Sequence, residues 1–328
     1  MQPSLPMKIT VLTDVEREGA DCDAVVGQVQ EALGQSGHRA SVLPVHGDVR
    51  KMVAGLTRRK PDLVFNLVES FGDNTSADVA VAGLLDLLGL RYTGSGPGAL
   101  YLCQNKALGK KVLAFEHILY PDFAVFSHDA GFETGGSMRM PLFVKPLSAD
   151  ASIGISGDSL VHDTTALVQR VEEIHRKVGD SALVEEYIEG RELYVGVLGN
   201  REPQALPPIE MDFSGMPEGM PRIVGSKAKW SKNSAEYKGT ESRLADLPEE
   251  LRARLQKAAV DAYRALRVRD YGRIDLRLAE TGEIYVIEVN ASCYLESGSE
   301  FATAAAAAGM EFPALVERIV QLALERYA

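Results

Sequence analysis

Cysteine and tryptophan are the scarcest side chains in this chain of 328 residues, which contains three cysteines and one tryptophan. Cys22, Cys103 and Cys293 are odd in number and far apart in the sequence, which disfavours a disulfide framework. The sequence has no CxxC pair and no cysteine–histidine spacing typical of a zinc site. We therefore expect a cytoplasmic protein with reduced thiols.

Long apolar runs and an excess of basic residues are also missing. No stretch approaches the roughly 18–20 apolar residues of a membrane span, and MQPSLPMKITVL lacks the features of a signal peptide. The formal net charge of -11 argues against nucleic acid or an anionic membrane as the main partner. A small basic pocket for a phosphate ligand is still compatible with this charge. The length allows two or three domains.

The beginning of the chain alternates the signals of strands and helices. Strands are expected at MKITVLTD, HRASVLPV and PDLVFNLVE. Helices are expected over 21–33, ended by Gly34, and over 76–88, with Gly89 as the C-cap. Apolar strands that alternate with helices favour an open parallel α/β sheet.

The rest of the chain mixes strands, helices and one long polar segment. Strands are expected at PLFVKPL, ALVEEYIEG and LYVGVLG, and helices over 105–117, 164–177 and 249–266. Residues 231–243 are polar, charged and aperiodic, which predicts a long exposed loop. The chain is expected to close with a hairpin and two helices, broken by Gly309 and Pro313.

The most informative stretch is GRIDLRLAETGEIYVIEVN. Arg273, Asp275 and Arg277 alternate with apolar residues, which predicts a strand with one polar and one apolar face. Residues 284–290 form a second expected strand, and the dipeptide 281–282, Thr-Gly, is a plausible two-residue turn. The segment is therefore expected to be a β-hairpin.

This hairpin register brings two carboxylates together. Arg273 lies opposite Asn290 and Asp275 lies opposite Glu288, all on the same face. Like charges directly opposite each other are destabilising, and a divalent cation such as Mg²⁺, bound by carboxylate and amide oxygens, would resolve the conflict. The alternative is a solvated hairpin face with an internal salt bridge.

The segment YGRIDLRL…YVIEVNAS resembles the metal-binding end of the ATP-grasp superfamily, specifically the D-alanine–D-alanine ligase-like branch. Other segments are similar to this family in the same order, across nearly the whole chain. They are RYTGSGPGALYLCQNKALGKKVL, LFVKPLSADASIGIS, LVEEYIEGRELYVGVLG and AAAAAGMEFPALVERIV. We take these segments as the entry to the central domain, the strand and loop over the triphosphate, the adenine-binding linker and the closing helices.

The resemblance implies a mixed α/β and α+β fold, an ATP-grasp fold preceded by an open α/β domain. We divide the chain into an N-terminal substrate-side domain over 1–104, a central subdomain with the phosphate loop over 105–190, and a C-terminal subdomain with the metal site over 191–328. The expected cofactors are ATP and Mg²⁺, with Mn²⁺ as an alternative. A homodimer is an expected assembly.

The resemblance also implies a nucleotide site, residue by residue. Lys106 and Lys145 would contact the phosphates and the purine side, and Lys229 would meet the γ-phosphate. The expected ATP-binding residues are Lys106, Lys145, Ser152, Ile153, Glu185, Glu186, Tyr187, Ile188, Glu192 and Lys229. Asp275, Glu288 and Asn290 would bind the metal, and Arg273 and Lys229 would stabilise the transferred phosphoryl group.

The sequence departs from the family at its substrate pocket. The family orients its substrate with a Glu–Ser–Tyr trio; Glu16 matches the glutamate, but Ala151 and Trp230 replace the two hydroxyl-bearing residues. Losing such hydrogen-bonding partners in a specificity site can change substrate preference by orders of magnitude. A product other than D-alanyl-D-alanine is therefore expected.

The acceptor side of the pocket departs as well. Glu69 stands where the family has a histidine, Cys293-Tyr294 replaces a Pro-Gly, and Ser299-Glu300 replaces a Ser-Leu. We expect Glu69, Trp230, Tyr294, Ser299 and Glu300 to line the substrate pocket. If Glu69 and Glu300 face it, they would repel a free carboxylate and attract an ammonium group; the alternative is that both are solvated.

The activity that the resemblance implies is an ATP-dependent ligase for small-molecule carboxylate and amine substrates. The substrate carboxylate would attack the γ-phosphate, and an amine would displace phosphate from the resulting acylphosphate. Residues 148–157 and 226–243 would act as lids that exclude water. Two alternatives are a phosphotransferase that stops at the phosphorylated substrate and a non-catalytic ATP-binding module.

Overall fold

The computed structural model describes residues 6–72, 74, 77–128, 132–134, 138–149 and 152–328, except for the side chains of 132–134 and 230. The first elements, in chain order, are β1 (Lys8–Asp14), α1 (Ala24–Gln35), β2 (Arg39–Val45), α2 (Val49–Arg59), β3 (Leu63–Asn66), α3 (Asp78–Leu87), α4 (Pro97–Gln104) and α5 (Lys106–Phe115).

The three strands of this first part form a parallel sheet with the order β2-β1-β3. The strands are apolar because the sheet is covered on both faces, and Ile9, Val11 and Leu12 of β1 are fully buried. Asp23 begins α1 by accepting a hydrogen bond of 2.9 Å from the Val25 N–H. The predicted open parallel α/β sheet is thus confirmed.

A second unit follows, made of β4 (Phe123–Phe126), β5 (Phe132–Thr134), β6 (Leu142–Pro146), β7 (Leu160–Val161), α6 (Thr164–Lys177) and β8 (Ala182–Glu186). Its strands form an antiparallel sheet with the order β5-β4-β8-β6-β7. Val144 and Val184 pack against Ile174 of α6. Because side chains alternate along a strand, the neighbouring Lys145 and Glu185 point to the opposite face.

The remaining elements are β9 (Gly190–Leu198), β10 (Gln204–Ala205), β11 (Ile209–Asp212), α7 (Ser226–Trp230), α8 (Ala235–Gly239), β12 (Glu241–Leu244), α9 (Glu249–Ala265), β13 (Tyr271–Ala279), β14 (Ile284–Asn290), α10 (Glu300–Ala307) and α11 (Phe312–Arg326). The sheet order is β12-β11-β9-β13-β14, with β10 paired to β9. Ile274 and Leu276 pack under Leu255 and Ala259 of α9. The alternate residues of β13 therefore face away from α9.

The first and last helices of the chain share one hydrophobic core. Val25 and Val29 of α1 pack in the same cluster as Val316 and Ile319 of α11, and all four are buried. The amino-terminal sheet is therefore covered by a helix from the opposite end of the sequence. In the described part of the chain, no helix is long and apolar enough to cross a bilayer.

Two local predictions are wrong. Helix α1 continues through Gly34 to Gln35, and the chain turns at Gly37, whose φ of 87° suits glycine. Residues 231–243 are not a continuous loop, because they contain α8 and most of β12. All residues of β12 are exposed at the sheet edge, so the strand has no buried face to produce an apolar alternation.

Candidate active site

A cleft of about 940 Å³, counting its open mouth, lies between the two antiparallel sheets. Strands β6 and β8 form one wall, strands β9, β13 and β14 the other, and residues 223–229 lie across it. Its apolar lining includes Pro121, Phe143, Ile155, Ile223, Val224 and Ile287. A cleft with apolar walls and a few charged groups has the properties of a small-molecule site.

Buried lysines and glutamates alternate along one side of the cleft. Nζ of Lys145 lies 2.9 Å from Oε2 of Glu185, and Nζ of Lys110 lies 2.8 Å from Oε1 of the same carboxylate. Nζ of Lys106 lies 3.4 Å from Oε1 of Glu288. Burial alone would raise the pKa of Glu185, but Lys110 and Lys145 lower it. This group therefore carries one more positive than negative charge and suits an anionic ligand.

The hairpin of β13 and β14 supplies the other charged end. Arg273 lies opposite Asn290 and Asp275 opposite Glu288, as predicted, and all four line the cleft. Nε and Nη2 of Arg273 donate to the two carboxylate oxygens of Asp275 at 2.8 and 2.9 Å. Two carboxylates, an amide and a guanidinium thus share one surface.

The two carboxylates of this hairpin differ in electrostatic environment. Burial raises the pKa of Asp275, although Arg273 opposes the rise. Burial would also raise the pKa of Glu288, but the neighbouring lysines, Lys106 first, lower it to about 2. Glu288 is therefore held as an anion at neutral pH.

The turn of the hairpin differs from the prediction. The expected two-residue turn at 281–282 is a three-residue loop over 280–282, with φ of 85° at Gly282. The register returns to the predicted one through a β-bulge at Ile287, where the pairing shifts between Asp275 and Leu276. The residues of the site are thus paired as expected although the turn is not.

A hydrogen-bonded network joins the two ends of the cleft. Arg277 donates to Oε2 of Glu192 at 2.7 Å, and the Tyr194 hydroxyl donates to Oε1 at 2.7 Å. The guanidinium of Arg273 lies 4.7 Å from the ring centroid of Tyr194, and that of Arg277 lies 5.4 Å from the ring centroid of Tyr187. These contacts fix the orientation of the arginines.

The start of the predicted phosphate loop is anchored by hydrogen bonds from its backbone. The carboxylate of Asp180 accepts hydrogen bonds from the N–H groups of Ser148 and Ala149, at 2.7 and 3.1 Å. The Ala149 carbonyl accepts a bond of 3.0 Å from Nζ of Lys106. The loop backbone is therefore anchored beside the buried lysines.

The two predicted lid segments contact each other. The Ser152 hydroxyl donates to the carbonyl of Val224 at 3.0 Å, and the Ser226 hydroxyl donates to the carbonyl of Ser152. The Ser226 N–H donates to the carbonyl of Ile155 at 3.0 Å. The two segments therefore lie together over the cleft.

Most predicted ATP and metal residues come together here. Those that line the cleft are Lys106, Lys145, Ser152, Glu185, Glu186, Tyr187, Ile188, Glu192, Lys229, Arg273, Asp275, Glu288 and Asn290. Ile153 does not line the cleft and is 46% exposed to solvent. Glu16 does not line it either and is exposed in the loop after β1. Ala151 and the side chain of Trp230 fall outside the described residues.

The predicted substrate residues have other local contacts. The Tyr294 hydroxyl donates to Asp23 at 2.8 Å, which ties this loop to α1, and Ser299 caps α10 by accepting a bond from the Ala302 N–H. Oε2 of Glu300 lies 3.5 Å from Nη1 of Arg273. Of the three predicted residues, Glu300 is therefore the one in contact with the lining of the cleft.

Glu69 is exposed in the segment that follows β3, and its N–H donates to Asp14 at 3.1 Å. Burial raises the pKa of Cys293 to about 12, and the charge of Glu69 adds to the rise. The backbone of Glu69 is therefore tied to Asp14 at the end of β1.

The family described as "D-ala D-ala ligase C-terminus" matches residues 105–321. A D-alanine–D-alanine ligase of Desulforudis audaxviator is 33% identical over 307 residues, which cover 90% of this chain and 91% of the relative. The chain belongs to the D-alanine–D-alanine ligase family. An uncharacterised protein of Sinorhizobium fredii, y4sG, is 32% identical over 318 residues, with coverage of 94% and 89%.

Solved structures of D-alanine–D-alanine ligase family members share the fold. The D-alanine–D-alanine ligase of Bacillus anthracis, solved with ATP, has a TM-score of 0.72 at 21% identity and covers 97% of this chain and 98% of its own. The VanG D-Ala:D-Ser ligase of Enterococcus faecalis has a TM-score of 0.72 at 20% identity, with coverage of 97% and 100%. As a member of its family, the protein is an ATP-grasp carboxylate–amine ligase.

Three residues of the charged network in and behind the cleft were not predicted from the sequence. Lys110 follows Lys106 by one helical turn, and this spacing was the available signal. Arg277 shares the polar face of β13 with Arg273 and resembles a solvated strand residue in the sequence. Tyr194 lies within an apolar run, which gives no sign that its hydroxyl binds Glu192.

The hairpin residues of this family member fit a magnesium ion by their chemistry. The described residues contain no group of three His, Cys, Asp or Glu side chains able to hold a metal. Asp275 and Glu288, however, are directly opposed carboxylates beside the amide of Asn290, and hard oxygen ligands of this kind suit Mg²⁺. The opposed charges are balanced here by Arg273 and Lys106.

Proposed function

We propose that the protein binds ATP and Mg²⁺ in this cleft, converts a small carboxylate into an acylphosphate and joins it to an amine. The observation that carries the proposal is the pairing of Asp275 with Glu288 and of Arg273 with Asn290 in a cleft that also contains buried lysines. Because charge develops on the transferred phosphoryl group, fixed positive groups on both sides of it favour the reaction.

Four positively charged residues have distinct roles in this reaction. Lys106 and Lys145 neutralise the charge of the phosphates, and Lys229 and Arg273 stabilise the phosphoryl group in transfer. The substrate carboxylate oxygen forms a bond to the γ-phosphorus as the bond to ADP breaks. The amine nitrogen then bonds to the acyl carbon as the bond from that carbon to the phosphate oxygen breaks, and inorganic phosphate leaves with the proton that the amine loses. The lid segments that meet at Ser152 exclude water, which would hydrolyse the acylphosphate.

Asp275, Glu288 and Asn290 would hold the magnesium ion. The bound ion would supply additional positive charge next to the phosphates. Arg273 is oriented by Asp275 and by the ring of Tyr194, which keeps its guanidinium directed into the cleft.

We infer that the acceptor differs from a free amino acid such as D-alanine, the substrate given in the names of several relatives. The support is the position of Glu300, whose carboxylate lies 3.5 Å from Nη1 of Arg273. A free substrate carboxylate would be repelled there, whereas an amine or an amidated carboxyl group would not. The donor is an amino acid or a metabolite that contains one.

A homodimer is our proposal for the assembly. It is supported by apolar side chains on the surface of α3 and α5, where Leu87 is 87% and Phe115 is 80% exposed. Light scattering during gel filtration measures the mass in solution. A monomer at all concentrations would refute the proposal.

The function is tested by following ADP and phosphate release with a panel of carboxylates, each with and without amines. Turnover that requires both substrates and yields an amide supports the ligase. Phosphorylation of the carboxylate without an amine would instead support a phosphotransferase, and ATP binding without turnover would support a binding module. D-alanyl-D-alanine as the best product would refute the inferred acceptor and leave the ligase intact.

A further inference from the structure

Lys110 is fully enclosed by protein, yet the proposed reaction gives it no task. Its side chain is 3% exposed, and its ammonium lies 2.8 Å from Oε1 of Glu185 and 5.8 Å from the ring centroid of Tyr120. Burial lowers the pKa of Lys110, and Glu185 opposes that effect. A buried lysine is costly, so the carboxylate of Glu185 beside it fixes its place.

The partner of Lys110 is also the partner of a cleft residue. The other oxygen of Glu185 lies 2.9 Å from Nζ of Lys145, and both Glu185 and Lys145 line the cleft. Strands β6 and β8 set this geometry, because Phe143 is paired with Glu185 and Lys145 with Leu183. Lys145 and Glu185 are therefore diagonal neighbours on one face, with Lys110 behind them.

Lys110, Glu185 and Lys145 form a charged trio that sets the net charge at this wall of the cleft. With Lys110, Glu185 and Lys145 charged, the trio has a net charge of one positive. Without Lys110 the remaining pair would be neutral, and Glu185 would have Lys145 as its one remaining partner in the trio. The ammonium of Lys145 would then be turned toward Glu185 and away from an anionic ligand.

We propose that Lys110 is a positioning residue for nucleotide binding, which acts through Glu185 to keep the charge of Lys145 available to the phosphates. The proposal rests on the proposed binding of ATP in this cleft. It assigns Glu185 a counter-ion role in addition to any contact with the base. It also predicts that Lys110 influences binding in proportion to the number of phosphates.

The test measures the dissociation constants of ATP and ADP by titration calorimetry without divalent metal, and that of adenosine by competition. Lys110→Met is expected to weaken ATP binding about tenfold, because Lys145 turns toward Glu185 and its charge-assisted contact with the phosphates weakens, and to change adenosine binding by less than about twofold. Lys111→Met is the matched control, because Lys111 is exposed on the same helix. It is expected to leave all three constants unchanged.

A double variant, Lys110→Met with Glu185→Gln, separates charge balance from packing. With Glu185 already neutral, Lys110 has no carboxylate to balance, so the double variant should bind ATP within about threefold of the single variant Glu185→Gln. If Lys110→Met does not fold, as judged by thermal melting, this comparison carries the test. An ATP affinity of the double variant about tenfold below that of Glu185→Gln would then overturn the proposal.

Two further results overturn the inference. One is unchanged ATP binding in a folded Lys110→Met protein. The other is an equal loss of ATP and adenosine binding, which would indicate a general distortion of the cleft. Failure of the wild-type protein to bind ATP would instead refute the proposed function itself.

Discussion

The carboxylate of Glu300, at the first turn of α10, lies 3.5 Å from Nη1 of Arg273, while Asp275 binds Nε and Nη2 of the same guanidinium. Arg273 is thus contacted by carboxylates on both of its polar edges. A substrate carboxylate would have to compete with Glu300 to reach it. The contact also places the first turn of α10 beside Arg273 of the cleft.

We expect Glu300→Leu to shift acceptor preference toward amines that carry a free carboxylate. The KM for such acceptors should fall about tenfold, because a repelling charge is removed, while the KM for amidated acceptors should stay within about twofold. The measurement is the ratio of kcat/KM values for one amino acid and its amide. Glu280→Leu, exposed at the hairpin turn, is the control. An unchanged ratio in Glu300→Leu would contradict the inferred acceptor.

We expect Glu288→Gln to lower turnover at least about a hundredfold, because the proposed magnesium site loses a charged ligand. The fold should persist, since glutamine has the same shape. Steady-state ADP release and a thermal melt provide the two readouts. Glu283→Gln, on an exposed part of the same hairpin, should retain activity. Near-normal turnover in Glu288→Gln would remove Glu288 from the proposed metal site.

We expect nucleotide binding to protect the segment 222–232 from trypsin. Lys227 and Lys229 are exposed, and the segment is held to the phosphate loop by the hydrogen bonds of Ser226. Phosphates would pair with these lysines and suppress local opening. Ser226→Ala should speed cleavage about threefold without nucleotide, because the hydrogen bond from the Ser226 hydroxyl to the Ser152 carbonyl is lost. Equal cleavage rates with and without ATP would exclude a lid function for this segment.

We expect Glu185→Gln to lower the free energy of unfolding by about 3 kcal/mol at neutral pH, because two buried lysines lose their counter-ion. The pKa of Glu185 is lowered in the folded protein from its usual value of 4.5. Its contribution is therefore complete above pH 4.5 and is lost as the pH falls through the folded-state pKa. Urea unfolding at several pH values should show the wild-type advantage shrinking in acid. A constant difference between the two proteins would contradict this account.

In the hairpin of β13 and β14, the sequence predicted which residues share a face but not the length of the turn. Alternation of charged and apolar residues predicted the shared face of Asp275 and Glu288, because side-chain direction in a strand has a fixed period. The three-residue loop could not be foreseen, since Thr-Gly suits a two-residue turn equally well. The bulge at Ile287 has no sequence signal of its own, and it compensates for the extra loop residue.

Residues that act through long-range contacts were harder to predict. Lys110 looks like an ordinary helix lysine until β8 brings Glu185 against it. Ser299, which the family resemblance placed in the substrate pocket, caps α10. Short polar elements at an edge, such as β12, bury no face and therefore lack the periodicity on which prediction depends.

The packing of α1 against α11 has a consequence for protein synthesis. The ribosome makes α11 after all the other described elements, so the apolar face formed by Val25 and Val29 stays uncovered until α11 has been synthesised. At roughly 5–20 residues per second the wait lasts some tens of seconds. During that interval the amino-terminal sheet is a target for chaperones and for aggregation, and a chain cut short before Phe312 would keep that face exposed for its whole lifetime.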